Sequence, residues 1–332
     1  MTVTKLLPAF IWNHIIAYLT EECMEKFYQV DISMPLILPH IYIKNKFIAD
    51  CTETRIVWYK SEIDPTADYS SIQLKKKFWK HAINNSLVCR NNVNEIMNHI
   101  RYHNEMRKYK STYMYYKIFL KDTAWTRKPG EVYNFDHKQC GIEIIGIKTP
   151  TIKPGCSKYY RYSLELQGID KLIIRNIHFD LSFVVHNTNL LMMDNCIIGC
   201  YQFEGYTSYI TAVRQILIVN CKFCTDGYLS IKPHQLFDSD NVANPEKIVI
   251  ISNRFCGDGY KHIFISTTNS ISVALKIDIC NNSFEGEPAI SNRLTNCDLT
   301  ITGNTSINKT KIDMIRDTNC TDNTLTVYNK NK

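Results

Sequence analysis

Lys171-Leu172-Ile173-Ile174-Arg175-Asn176-Ile177-His178-Phe179-Asp180 is a short apolar strand that runs into Asn176, with Phe179 three residues later. The pattern returns in LLMMDNCII (Asn195, Ile198), ILIVNCKF (Asn220, Phe223), IVIISNRF (Ser252, Phe255), IDICNNSF (Asn281, Phe284) and LTITGNTSI (Asn304, Ile307). Each unit is an apolar strand, a polar turn residue and a large apolar residue three positions on. The spacing varies, which describes stacked coils with loops of unequal length. Periods of about 20 to 30 residues mark a solenoid. β-Branched strands closed by Asn or Gly make it a β solenoid.

Parallel strands stacked about 4.8 Å apart place their inward side chains in apolar ladders. Asn suits the corner because it tolerates positive φ at low cost. Stacked Asn side chains can also hydrogen-bond along the axis. A β-sandwich would alternate apolar and polar residues more cleanly than these runs do. The expected fold is therefore mainly β, a right-handed parallel β-helix.

At 332 residues the chain suits two domains, and its 45% hydrophobic content is enough for a sizeable core. A net charge of +7 is a mild excess that identifies no partner. Thirteen scattered cysteines fit reduced thiols in a cytoplasmic or nuclear setting better than a secreted disulfide framework. Asn84, Asn304 and Asn308 open Asn-X-Ser/Thr triplets that are then incidental to composition. No stretch is apolar enough to span a membrane. Lys5 with the following LLPAFIWNHIIAYL resembles a signal peptide, but Asn13 and His14 interrupt the run and no small-residue cleavage site follows.

Leu7, Ile11, Ile15 and Leu19 recur at helical spacing, widened by Trp12, Ile16 and Tyr18, with Pro8 in the first turn. A second short helix is expected from Thr20–Glu22, carrying Met24, Phe27 and Val30. So small a pair cannot bury its apolar face alone, so either the following domain or a partner covers it.

Residues 31–70 contain Pro35, Pro39 and Pro65 among mixed strand-like runs. Helices are expected at Ser71–Ala82 and Val93–Tyr109, the second with Val93, Ile96, Met97 and Ile100 on its apolar side. Basic residues cluster here: Lys75, Lys76, Lys77, Lys80, Arg90, Arg101, Arg107, Lys108 and Lys110. With Phe78, Trp79, Tyr102 and Tyr109 between them they suit a nucleic-acid surface, a solvated helix face, or a helix covering the open end of the solenoid. The last of these is the expectation, and nucleic acid is not an expected partner.

Two units share Phe223-Cys224-Thr225-Asp226-Gly227-Tyr228 and Phe255-Cys256-Gly257-Asp258-Gly259-Tyr260. Adjacent coils would stack Asp226 on Asp258, close enough to split their pKa values for acid–base chemistry. Asp-Gly is also a common turn pair, and these two are expected as turns, with no catalytic residue assigned. Cys221 and Cys224 form a lone CxxC, with Cys196, Cys200 and Cys256 in neighbouring units. Stacked small core residues account for Cys196 with Cys221 and for Cys224 with Cys256, so no metal and no cofactor are expected. His178, His186, His234 and His262 form no triad and are expected at turns or on the surface. The insert His234–Lys247 and Tyr159, Tyr160, Tyr162, Tyr201, Tyr206 and Tyr209 suit a recognition surface.

Leu7, Pro8, Ile11, Trp12, Ile15, Ile16, Leu19, Met24, Phe27 and Val30 together resemble the F-box motif over about the first 30 residues. The chain departs from it at Phe10, where an acidic residue is usual, and at Asp31-Ile32-Ser33-Met34, where Cys-Lys-x-Trp is usual. Lys128-Pro129-Gly130, Tyr133 and Ile142–Gly146, following a helix and a strand, resemble the entry into pectin-lyase-like β-helices. Thr225-Asp226-Gly227 is faintly similar to a polygalacturonase motif, without the accompanying basic motif. F-box proteins with pectin-lyase-like repeats occur in animals and in large DNA viruses of amoebae.

The resemblance implies a F-box-like helical region at 1–50, a linker with a short helix at 51–90, and a β-helix with its cap helix at 91–332. It further implies a substrate adaptor of a ubiquitin ligase, with the F-box on a Skp1-like protein, bound in turn to a cullin, and the β-helix presenting a client protein. The other readings of the same residues are a carbohydrate-processing or carbohydrate-binding protein and a basic nucleic-acid-binding protein.

Overall fold

The computed structural model describes residues 47–48, 51, 53–60, 72–90, 92–106, 113–121, 133–135, 140–153, 163–199, 208–224, 229–232, 247–256, 263–265, 275–285, 290–292, 297–306, 315–318 and 324–328. The architecture is mainly β, built from parallel ladders that repeat the sequence units. One ladder runs β3 (Met114–Leu120), β5 (Cys140–Gly146), β8 (Lys171–Arg175), the second halves of β10 (Ser182–Asp194) and β12 (Ser208–Val219), β15 (Lys247–Ile251), β18 (Leu275–Cys280), β21 (Cys297–Thr302) and β24 (Thr324–Tyr328). A second runs β4 (Tyr133–Asn134), β7 (Ser163–Gln167), the first halves of β10 and β12, β14 (Leu229–Lys232), β17 (Ile263–Ile265), β20 (Ile290–Asn292) and β23 (Ile315–Thr318). The third is a separate sheet of two-residue strands: β6 (Thr151–Ile152), β9 (His178–Phe179), β11 (Ile197–Ile198), β13 (Lys222–Phe223), β16 (Arg254–Phe255), β19 (Ser283–Phe284) and β22 (Thr305–Ser306).

The repeated motif explains this register. Its turn residue has left-handed backbone in the first five units: Asn176 (φ 56°), Asn195 (52°), Asn220 (54°), Ser252 (57°) and Asn281 (55°). The residue three on is buried in the third ladder, where Phe223 stacks on Phe255 at 4.7 Å and Phe255 on Phe284 at 5.0 Å. In-register parallel pairing makes like residues neighbours, so an aromatic in one unit favours an aromatic in the next. In the last unit the corner is Gly303 (φ 64°), not Asn304, and Ser306 rather than Ile307 pairs with Phe284. Glycine takes that conformation without a Cβ penalty, so it claims the corner and moves Asn304 one place inward.

Asn304 joins a feature the turn residues do not share. Asn253, Asn282 and Asn304 each follow a corner, and the first two are buried. Asn253 N–H and Nδ2 donate to Asn282 Oδ1 at 2.9 and 3.0 Å, and Asn282 N–H and Nδ2 donate to Asn304 Oδ1 at 2.8 and 2.9 Å. Each Nδ2 also reaches a strand carbonyl, Ile218, Ile250 and Ile279 in turn. Corner asparagines connect more sparsely: Asn195 Nδ2 donates to Asn176 Oδ1 at 3.2 Å.

Within residues 51–90, expected as a linker with a short helix, two strands belong to the sheet and flank a helix in sequence. β1 (Thr54–Lys60) pairs antiparallel with β3, and β2 (Ser86–Cys89) pairs antiparallel with β1. The exposed edge of β3 is therefore satisfied by a strand, whose N–H and C=O groups match it, where a capping helix was expected to cover it. α1 (Ile72–Asn84) buries Phe78, Trp79 and Ala82 on Val57, Tyr59 and Phe119, and Phe47 and Cys51 complete that cluster. Phe78 and Trp79 are thus core residues, unavailable to stack on nucleic-acid bases. Lys77 and Lys80 remain exposed, and the side chains of Lys75 and Lys76 lie outside the described residues.

α2 (Val93–Glu105) begins at Asn92, whose side chain accepts the Asn94 N–H at 2.9 Å. It buries Val93, Ile96, Met97 and Ile100, the expected set, in the main core. Tyr133 is fully buried beneath it and donates its hydroxyl to Asn94 Oδ1.

β3 and β5 also carry a buried ion pair on their outer side. Lys117 Nζ lies 2.8 Å from Glu143 Oε2, and Arg175 Nε lies 3.3 Å from Glu143 Oε1. The Phe78 ring of α1 covers the Lys117 ammonium at 5.0 Å.

Candidate functional site

Leu7, Pro8, Ile11, Trp12, Ile15, Ile16, Leu19, Met24, Phe27 and Val30 lie outside the described residues, as do Asp226 and Asp258, Lys128-Pro129-Gly130, His234 and His262. The strands leading to the two aspartates are described, and they are neighbours: Lys222 pairs with Arg254 and Phe223 with Phe255. Beyond them Cys224 and Cys256 are half-buried on successive units, and burial pushes the Cys256 thiol up to about 11. Lys222, Arg254 and Glu285 share that face, and Arg254 donates to Glu285 through Nε at 2.6 Å.

The CxxC pair divides. Cys221 is buried beside Cys196, whereas Cys224 is half-buried further along. The contact with Cys196, together with burial, holds the Cys221 thiol protonated, well above the ordinary thiol range. No group of three or more His, Cys, Asp or Glu side chains suited to a metal ion occurs among the described residues. The nine described cysteines carry free thiols.

His178 and His186, expected at turns or on the surface, sit in β9 and β10 and are half-buried. His178 Nδ1 faces Thr151 Oγ1 at 3.3 Å, and His186 Nδ1 faces Thr211 Oγ1. Burial lowers both imidazole pKa values below the usual range.

A defined cavity of about 140 Å³ opens where α2 crosses the antiparallel strands. Its walls follow from two periodicities. In β1, Ile56 and Trp58 point towards α2 while Val57 and Tyr59 point towards α1, because successive strand residues face opposite sides. In α2, His99 and His103 lie one turn apart, flanking the buried Ile100 and the exposed Tyr102. Leu87 of β2 and Tyr116 of β3 complete the lining. His103 Nδ1 lies 2.8 Å from the Tyr116 hydroxyl. The His103 ring sits 5.2 Å from Trp58 at 44° and 5.6 Å from Tyr116 at 89°. One turn back along α2, His99 Nε2 lies 3.8 Å from Glu95 Oε1.

Among the described residues this lining is apolar and aromatic, with His99, Tyr102, His103 and Tyr116 supplying its polar atoms and no serine, cysteine or carboxylate. The sequence signal was the run His99, Tyr102, His103, three polar-aromatic residues at i, i+3 and i+4. Trp58, Leu87 and Tyr116 join it only through antiparallel pairing, which no local spacing encodes. Comparison with protein-family models, with curated proteins and with solved structures returned no match.

Proposed function

We propose that the chain is a substrate-recognition adaptor of a Skp1–cullin–F-box ubiquitin ligase, and that its repeat units wind as a right-handed parallel β-helix. The carrying observation is that β1, β2 and α2 complete the start of the ladders. β1 and β2 take up the β3 edge and α2 buries its apolar side in the core. The domain therefore has a cap of its own. That supports assigning the F-box-like residues Leu7 to Val30 to a partner, a Skp1-like protein bound to a cullin. The β-helix reading draws on three parallel ladders, each receiving one strand from each unit. Such a scaffold presents a client and does no chemistry, raising the client's effective concentration at the ligase. The site of action is the cytoplasm or nucleus.

The test is a pull-down of the full chain with a Skp1-like protein, comparing wild type with Leu7→Ala/Pro8→Ala, both checked for equal thermal stability. Retention of wild type and loss of the variant supports the adaptor. Equal retention of both, or of neither, removes it.

A further inference from the structure

The cavity between α2 and β1–β3 is independent of the adaptor reading, and its walls suit one chemistry. Five of its eight lining residues carry π rings: Trp58, His99, Tyr102, His103 and Tyr116. These walls are not parallel. Trp58 and Tyr116 meet His103 at 44° and 89°, so these three rings do not form a parallel-walled slot for a flat ligand. Among the described residues neither lysine nor arginine lines the cavity, and the Glu95 carboxylate lies 3.8 Å from the lining residue His99. The volume of about 140 Å³ admits a compact head group and falls below the roughly 300–1,000 Å³ of pockets for larger ligands. Aromatic walls attract a cation through the negative faces of their rings, and the attraction grows when the cation is desolvated.

We infer that this cavity binds an alkylated ammonium group against the rings of Trp58, Tyr102 and Tyr116, with the Glu95 carboxylate beside His99 adding negative charge nearby. A trimethylammonium carries its charge on a round, poorly hydrated surface, so entering an apolar cavity costs it less than it costs a primary ammonium. Two sources present that group: a small solute such as choline, or a methylated lysine on another protein.

The full chain is titrated with choline chloride at constant ionic strength, following saturation transfer to the N-methyl protons. The neutral isostere 3,3-dimethylbutan-1-ol, of the same shape, is titrated in parallel. Choline is expected to bind roughly tenfold more tightly than the alcohol, the scale of a partly desolvated cation–π contact. Tyr102 is 64% exposed, so Tyr102→Ala leaves the core intact and is expected to weaken choline roughly fivefold. A trimethyllysine peptide, compared with its unmodified form, separates the sources. Tighter binding than choline assigns the site to a modified protein, and weaker binding assigns it to a solute. Equal affinity for choline and the alcohol overturns the proposal. So does wild-type affinity in Tyr102→Ala, or failure of both choline and the methylated peptide to bind.

Discussion

Asn282 accepts two hydrogen bonds from Asn253 on one side-chain oxygen, from the backbone N–H at 2.9 Å and from Nδ2 at 3.0 Å. Its own Nδ2 donates to the Ile250 carbonyl and to Asn304 Oδ1, both at 2.9 Å, so one amide ties together polar groups of three successive units. Asn282→Ala leaves Asn253 N–H, Asn253 Nδ2 and Ile250 C=O without these partners. Each buried orphan costs about 1–3 kcal/mol, so the expected loss is about 3 kcal/mol or more by urea denaturation. The exposed neighbour Asn281 is the control. Asn281→Gly keeps the left-handed corner and should stay within about 0.5 kcal/mol of wild type.

Glu143 and Lys117 face each other where little water reaches them, with the partly exposed Arg175 on the other carboxylate oxygen. Glu143→Ala leaves the Lys117 ammonium buried beneath Phe78 with no carboxylate. Removing one partner of such a pair costs about 3–5 kcal/mol. The double variant Lys117→Met/Glu143→Leu removes both charges and is expected to recover most of that loss. A double variant no more stable than Glu143→Ala would show that packing, not the unpaired charge, sets the cost.

Ala212 divides the two halves of β12 at φ 53°. An L-residue there costs roughly 1–2 kcal/mol that glycine does not incur. Ala212→Gly is expected to be stabilising by about 0.5–1 kcal/mol after glycine's greater unfolded-state entropy is subtracted. A fall in thermal midpoint would contradict the strain assignment.

His186 has a folded-state pKa below its usual value because burial disfavours the imidazolium. The unfolded chain therefore takes up the proton first. Stability is complete above about pH 6.5 and falls as pH drops below it towards the folded value. His186→Gln keeps a hydrogen-bonding group towards Thr211. It should flatten the change in thermal midpoint between pH 7.5 and pH 5, with His178 supplying the remaining slope.

Thiol labelling with peptide mapping should rank the described cysteines by burial. Cys224, Cys256 and Cys280 are half-buried and are expected to react before Cys140, Cys196, Cys221 and Cys297. Labelling of Cys256 should accelerate as pH rises towards about 11, where its thiolate forms. Early modification of Cys221 would contradict the buried pairing with Cys196.

The repeat was legible because it is written locally. Asn176, Asn195, Asn220 and Asn281 each needed a left-handed corner, and Phe223, Phe255 and Phe284 each needed a buried site three residues later. The apolar side of α2 was legible for the same reason, since helical spacing alone selects Val93, Ile96, Met97 and Ile100. The last corner was misplaced at Asn304 because Asn and Gly are both turn residues, and register decides between them.

Chain order and local pattern by themselves determined parallel units, their corners and the helix faces, since a period of two or 3.6 residues states which side chains point together. Tertiary structure decided what distant segments do to one another. Residues 51–90 read as a linker with a short helix because a lone strand carries no sign of its partner; only β3 makes β1 part of the sheet. The Asn253–Asn282–Asn304 ladder and the ring-lined cavity exist only after stacking and antiparallel pairing, because each joins residues more than 20 positions apart whose contact no local spacing encodes.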